Sequence, residues 1–212
     1  LVFYTLLLCV KRTGFIAFVA GIVVYILVEY RSAPKGSKKR VFVLLGGLLA
    51  LTAMYFFIME NTRGTFSVID RLLSTGQTSN EGREDVWPVV ISMIRHSDII
   101  ALIFGHGFDT VIENSPLALS AHCDFLEVIY DYGVSGLLLY LTFYKRLWNG
   151  FIKMYRQGSE LAAPMSFTFV TAFVVSLFSH LIIFPTYFLG FCLFWGLAMG
   201  SVDSEDVTLL RY

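Results

Sequence analysis

The chain has 212 residues with 16 basic and 16 acidic side chains, so its formal net charge is zero, and 56% of it is hydrophobic. A mean hydropathy of +0.69, with an apolar share above the roughly 45–50% of ordinary soluble domains, excludes a basic nucleic-acid binder and points to an integral membrane protein. Three cysteines without paired spacing suggest neither a disulfide framework nor a zinc site.

Several apolar runs approach the roughly 20 residues a helix needs to cross the hydrocarbon core. In chain order they are Leu1 to Val10, which is cut short, Thr13 to Val28, Val41 to Met59, about Val128 to Tyr144, Pro164 to Phe184 and Thr186 to Gly200. No initiator methionine and no signal-peptide pattern opens the chain, so the expectation is the C-terminal part of a longer protein. The positive-inside rule counts Lys and Arg in short loops. Arg31, Lys35, Lys38, Lys39 and Arg40 crowd one loop, and Lys145, Arg146, Lys153 and Arg156 another, which puts both in the cytoplasm. The segment from Glu60 to about Glu127 then lies outside, with the Lys11-Arg12 turn and the Phe184-Pro185 turn. The expected architecture is an all-α polytopic membrane protein of about six transmembrane helices, the first truncated, with one large extracytoplasmic loop. Its parts are residues 1–59 with a basic cytoplasmic loop at 31–40, the outer loop 60–127, and 128–212 with the acidic tail inside. A loop that long is usually functional.

The basic residues of the outer loop are Arg63, Arg71, Arg83 and Arg95, with no lysine. Guanidinium presents a rigid fork that matches phosphate or carboxylate oxygens in pairs, whereas ammonium is a point charge. The loop as a whole is acidic, so any anion site is local. The stretch "NEGREDVWPVVISMIRHSD" predicts an amphipathic helix beginning near Glu84, with Glu84 and Asp85 complementing the dipole of its first turn and Pro88 tolerated near that start. Trp87, Ile91 and Ile94 share one face with Val90 close by, a pattern suited to the membrane interface with the Trp at headgroup depth. Arg83 would stand at the helix N-terminus, where backbone N–H groups also favour anions. The alternative is a plain lid helix with an exposed arginine.

"FGHGFDTVIENSP" is a glycine-punctuated turn, since Gly105 and Gly107 permit backbone conformations closed to other residues. His106 and Asp109 there read as ligands or as a solvated loop. In "SAHCDFLEVIYDYGVSGLLLYL", Ser120 is a good N-cap, with Asp124 and Glu127 in the first turns of the helix it would start. Asp124, Glu127 and Asp131 line one face, and His122 and Leu126 another. The helix would enter the membrane around Val128, with Gly133 and Gly136 permitting close contact with a neighbouring helix. His122 then stands at the outer boundary, where a histidine can exchange a proton near neutral pH; packing or capping is its alternative role. His180 lies near the outer end of its crossing and is a functional candidate, or a histidine satisfied by the neighbouring Ser176 and Ser179.

Arg12-Thr13-Gly14, Gly82-Arg83 with Trp87, Gly105-His106-Gly107, and Ala121-His122 with Leu126-Glu127, Gly133 and Gly136 follow one another in an order that resembles the bacterial O-antigen ligase and polysaccharide polymerase superfamily. The resemblance runs from about Lys11 to Leu141 and is most specific from Ser120 onward. The chain departs from the pattern at Cys123, where such proteins commonly carry Asn, and at the lead motif, Lys-Arg-Thr-Gly rather than Ser-Arg-Gly.

The resemblance implies a GT-C-like, inverting, metal-independent glycosyltransferase without cofactor, multi-pass in the bacterial plasma membrane. Its donor would be a glycan on polyprenyl diphosphate, its acceptor a sugar hydroxyl at the outer face, and its protein partners a flippase and a chain-length regulator. The donor carries its own leaving group, so the enzyme must chiefly neutralise developing negative charge and position the acceptor. Carried over by position, Arg83 and Arg12 serve the diphosphate and His122 the acceptor hydroxyl. Glu127 would orient the histidine, and Arg63, Arg71, Arg95, Trp87 and His180 are substrate-binding candidates. The acidic "DFLEVIYDYG" version is closer to capsular or exopolysaccharide repeat-unit polymerases than to lipid A-core ligases. The competing readings are an O-antigen ligase or protein O-oligosaccharyltransferase, a bicarbonate-like anion transporter, and a membrane scaffold. Few mid-bilayer charges and no paired interrupted helices count against transport.

Overall fold

The computed structural model describes residues 12–32, 42, 45–46 and 83–209, with side chains over 13–32, 42, 45–46 and 86–201. These residues are all-helical apart from turns and connecting segments: α1 (Arg12–Ser32), α2 (Arg83–His96), α3 (Ile99–Phe104), α4 (Thr110–Asn114), α5 (Asp124–Gln157), α6 (Ala162–Phe178) and α7 (Pro185–Leu209). The expected runs Leu1 to Val10 and Val41 to Met59 lie outside the described residues, except that Phe42, Leu45 and Gly46 are helical. The chain divides into two compact units, Leu1–Thr78 with Met154–Thr171, and Ser79–Lys153 with Ala172–Tyr212.

In the first unit, small residues let two helices approach. Ala17 of α1 is fully buried, and a Cβ on Gly21 would meet Thr171 and Phe167 of α6. The rings of Phe18 and Phe167 meet edge to face at 5.7 Å, and the Thr171 hydroxyl donates to the Ala17 carbonyl at 3.4 Å. This is how membrane helices associate when no aqueous hydrophobic drive separates them from lipid. Among the described residues, the stretch Thr13–Ser32 is long and apolar enough on its own to cross a bilayer. Its outer stripe of Ile16, Val19, Val23, Leu27 and Tyr30 is exposed.

The second unit holds α2, α3, α4, α5 up to Lys153, the end of α6 from Ala172, and α7. Its apolar core joins Val86 and Val90 of α2 to Val111, Ala121 and Tyr130, with Met93, Ile94 and Leu126 against it. Two sequence expectations are corrected here. The buried face of α2 is Val86 and Val90, and Ile91 is exposed, because α2 packs on the segment leading into α5. The helix after Ser120 begins only at Asp124: the Ser120 hydroxyl is taken by His180, and His122 has a left-handed backbone, φ 49°, which cannot continue a right-handed helix.

Gly133 does not serve as a contact within a continuous helix. It interrupts α5, at φ 68° and ψ −168°, so the uninterrupted stretch begins at Val134 rather than Val128. The break receives the turn after α3. His106 N–H donates to the Tyr130 carbonyl at 3.1 Å and Gly107 N–H to the Asp131 carbonyl at 2.9 Å. A Cβ on Gly133 would lie 2.3 Å from the Ile103 carbonyl oxygen, and one on Gly105 would lie 2.1 Å from that of Asp131. Two main chains therefore touch where only glycine fits on both sides. Gly136 accommodates Tyr132 of its own helix.

The run Pro164 to Phe184 likewise ends early: α6 stops at Phe178, a turn occupies 179–184, and Pro185 opens α7. A proline at a first helical position costs no hydrogen bond, because that N–H has no partner in any case.

A candidate functional site at the start of α5

Asp124, Glu127 and Asp131 fall at helical spacing of three and four, and all are buried, at 0%, 2% and 3% exposure. Each carboxylate captures backbone N–H groups from a different segment. Asp124 accepts from Leu181 N–H at 3.1 Å and Ile182 N–H at 3.3 Å, and from the Tyr140 hydroxyl at 3.0 Å. Tyr140 and Tyr144 in turn share the Ser176 hydroxyl, at 2.9 and 2.6 Å. Glu127 accepts from Ala121 N–H at 2.8 Å. Asp131 accepts from Asp109 N–H at 2.9 Å and the Thr110 hydroxyl at 3.0 Å. Buried charge is tolerated only when its lone pairs are satisfied, and here three loops supply the donors.

His122 sits where these ties converge. Ala121 before it is held at both backbone groups, its N–H by Glu127 and its carbonyl by the Trp87 indole N–H at 2.8 Å. Ser120 is held by His180 Nε2 at 2.8 Å. The rings of His122 and His180 lie 4.7 Å apart at 41°, and His180 Nδ1 is 3.5 Å from Glu127 Oε1. His180 therefore pairs with Ser120 and Glu127, since Ser176 is engaged by the two tyrosines.

Burial pushes the Glu127 carboxyl from its usual 4.5 up to about 8; the Ala121 N–H opposes the rise, and the charges of Asp131, Asp124 and Asp109 add to it. Burial also raises Asp124, against the N–H of Leu181 and the hydroxyls of Ser176 and Tyr140. Cys123 occupies the cap position of α5, its carbonyl accepting from Leu126 N–H and Glu127 N–H at 3.1 Å each. Its thiol is raised first by burial and lowered by the N–H groups of Leu126 and Phe125, so sulfur stands in for a capping oxygen.

The structure brings His122, His180, Glu127 and Trp87 together. It places Arg83 at the first position of α2, one turn before Trp87 and thus about 6 Å along the axis from the residue tied to Ala121,. Arg95 is exposed in the last turn of that helix, about 12 Å beyond Trp87. Arg12 opens α1 in the other unit. Arg63 and Arg71 lie outside the described residues. Among the described residues no three His, Cys, Asp or Glu side chains gather as a metal site. His106 ties its turn together, stacked on Tyr130 at 4.4 Å with Nε2 2.8 Å from the Ser97 hydroxyl. Sequence reasoning did not find the roles of Tyr140, Ser176 and Asp131. The signal for Asp131 was an ionisable residue in an apolar run.

Fold and site together define an all-helical protein with a membrane-type helix and a histidine-centred polar cluster at the start of a long helix. Residues 1–141 match the family described as O-antigen ligase (Wzy_C), and the chain belongs to that family. No curated protein and no solved structure gives a significant match. Membership implies an inner-membrane protein of the O-antigen ligase and polymerase type, a membrane glycosyltransferase acting on lipid-linked glycans.

Proposed function

We propose that the protein polymerises polysaccharide repeat units. The anomeric carbon of a polyprenyl-diphosphate-linked glycan is attacked by a sugar hydroxyl at the outer face of the membrane. The new glycosidic C–O bond forms with inversion, the bond to the diphosphate breaks, and its electron pair leaves with the diphosphate. The hydroxyl proton passes to His122. Arg83 and Arg12 neutralise the departing diphosphate, with Arg63, Arg71 and Arg95 as further anion contacts. The observation that carries this reading is His122 itself, a non-glycine residue with a left-handed backbone whose neighbours on the N-terminal side are fixed by three separate ties. Strained backbone of this kind, costing about 1–3 kcal/mol, persists where surroundings over-determine it and clusters at functional sites.

Two further observations support the membrane part of the reading, a multi-pass chain of about six crossings. Exposed apolar stripes run along α5 at Leu138, Leu139 and Leu141 and along α7 at Leu189, Leu193 and Leu197, a pattern that suits lipid contact. A cavity of about 450 Å³, lined by Phe104, Val128, Tyr132, Tyr140, Phe143 and Ile182 among others, suits the polyprenyl tail.

The test uses the purified protein in nanodiscs with polyprenyl-diphosphate-linked repeat units, products being read by gel and mass spectrometry. Lipid-linked glycans of increasing length are expected, and His122→Ala and Arg83→Ala each abolish them while leaving membrane insertion intact. General base catalysis typically contributes ~10²–10⁴-fold, so near-normal turnover in either variant removes that residue from the mechanism. A single transfer to a lipid A-core acceptor would establish ligation instead.

A further inference from the structure

We propose that His180 is a positioning residue for His122, holding both the backbone ahead of that histidine and the face of its ring. The inference rests on the reading of His122 given above. His180 stands out because it touches two parts of the same assembly. Through Nε2 it holds the Ser120 hydroxyl at 2.8 Å, and its ring lies against that of His122 at 4.7 Å. Its other nitrogen faces Glu127 Oε1 at 3.5 Å, and the same oxygen accepts from Ala121 N–H. One imidazole thus braces Ser120 directly, Ala121 through Glu127, and His122 by ring contact.

The His180 ring and the Glu127 carboxyl face each other at a buried position, where a lone charge is costly and a neutral pair is not. Either the pair is carboxylate and imidazolium or it is carboxylic acid and imidazole, and its net charge is zero in both. Glu127 from α5 and His122 from the segment before it face His180, and Asp124 is bonded to the N–H of the next residue, Leu181. That last tie matters for the experiment. The turn bearing His180 is anchored by Asp124 through Leu181 and Ile182, independently of the His180 side chain, so substitution at His180 leaves the turn in place.

The test compares His180→Ala, His180→Phe, His180→Gln and His122→Ala in the purified protein in nanodiscs, with polyprenyl-diphosphate-linked repeat units as donor. Misplacement of a reacting group by about 1 Å costs on the order of 100-fold, so His180→Ala is expected to lower kcat by about that factor with the donor KM unchanged. His180→Phe restores the ring contact and His180→Gln the bond to Ser120, so each recovers part of kcat. The pH at half-maximal kcat moves in His180→Phe, which has lost the ionisable ring facing the Glu127 carboxyl; a merely structural ring would not move it. Three outcomes overturn the inference: kcat of His180→Ala within about twofold of wild type, a raised donor KM at constant kcat, or a lowered kcat that no conservative variant recovers and whose pH profile is unmoved. If His122→Ala is itself active, the reading of His122 has failed first. If it is inactive and His180→Ala is not, only the present inference fails.

Discussion

The two stretches of α5 on either side of Gly133 bury opposite chemistries. Before the break, Asp124, Glu127 and Asp131 point inward and are almost fully covered; after it, Leu138 and Leu139 face outward at 59% and 74% exposure. A soluble helix buries its leucines and shows its acids. The first stretch inverts that rule because its acids have backbone N–H donors waiting from three loops. The second buries Tyr140, Tyr144 and Leu147 but leaves Leu138 and Leu139 outside; on the proposed membrane reading these face lipid, against which an exposed leucine costs nothing. Polar-inside and apolar-outside are thus produced on one helix by two unrelated causes, and the glycine break separates them.

The contrast is broken most completely at the break itself. Gly133→Val should place a side chain into the Ile103 carbonyl at a positive φ, which adds a steric clash to a backbone strain of about 1–3 kcal/mol. The expected result is loss of folded protein, read as a collapsed monodisperse peak and a lost thermal transition in detergent. Gly105→Val should behave alike, because the contact is reciprocal.

Next in size is Asp124→Ala. It leaves the N–H groups of Leu181 and Ile182 without their acceptor while the Tyr140 hydroxyl keeps Ser176, at about 1–3 kcal/mol for each group that stays unsatisfied, so the midpoint of thermal unfolding should fall by several degrees and Asp124→Asn should recover part of it. Leu138→Arg addresses the other stretch. In water an exposed leucine is replaceable at little cost, but at the centre of a bilayer arginine costs about 2.5–3.5 kcal/mol. Reduced membrane insertion with α5 otherwise intact confirms lipid contact, and normal insertion places Leu138 in a protein or aqueous environment.

Glu127 gives a smaller, pH-dependent effect. Its native carboxyl keeps its proton up to about pH 8, whereas the unfolded one loses it near 4.5, so unfolding releases a proton between those values. Its contribution to stability is therefore complete below pH 4.5 and is lost as pH rises through 8, at no more than about 1.4 kcal/mol per pH unit. Glu127→Gln should flatten the fall of stability between pH 6 and 8, measured by urea unfolding; an unchanged slope would assign that fall to other groups. The smallest change is Cys123→Asn, which returns an oxygen acceptor to the cap of α5. It should raise stability by about 0.5–1 kcal/mol, and a decrease would mean that the amide is too large for this buried position.

Much of the molecule was legible in the residues. The apolar run from Thr13 predicted α1, and the amphipathic pattern from Glu84 predicted α2, because periodic hydrophobicity is a local signal. The spacing of Asp124, Glu127 and Asp131 predicted a shared face. Their partners were not legible, since N–H groups look alike in every residue and those of Ala121, Asp109 and Leu181 are recruited from 6 to 57 positions away. For the same reason the sequence offers His180 its neighbours Ser176 and Ser179 as the alternative to a functional role, whereas Ser120, which it meets at 2.8 Å, lies 60 residues away. A glycine inside an apolar run reads as a packing residue, and only the main chain of the α3 turn lying against Gly133 reveals a break. Arg63 and Arg71 stay sequence candidates, outside the described residues.

The three carboxylates grip their loops by main-chain atoms rather than by particular side chains, apart from the Thr110 hydroxyl and Tyr140. A grip of that kind is indifferent to what the loops display. Exposed residues of the segment between Gly107 and Ser120, such as Phe108, Ile112, Leu117 and Leu119, can therefore be exchanged while the histidine that follows keeps its place. A single scaffold could thus be retailored to different sugars by rewriting loop surfaces alone, with α5 left as it is.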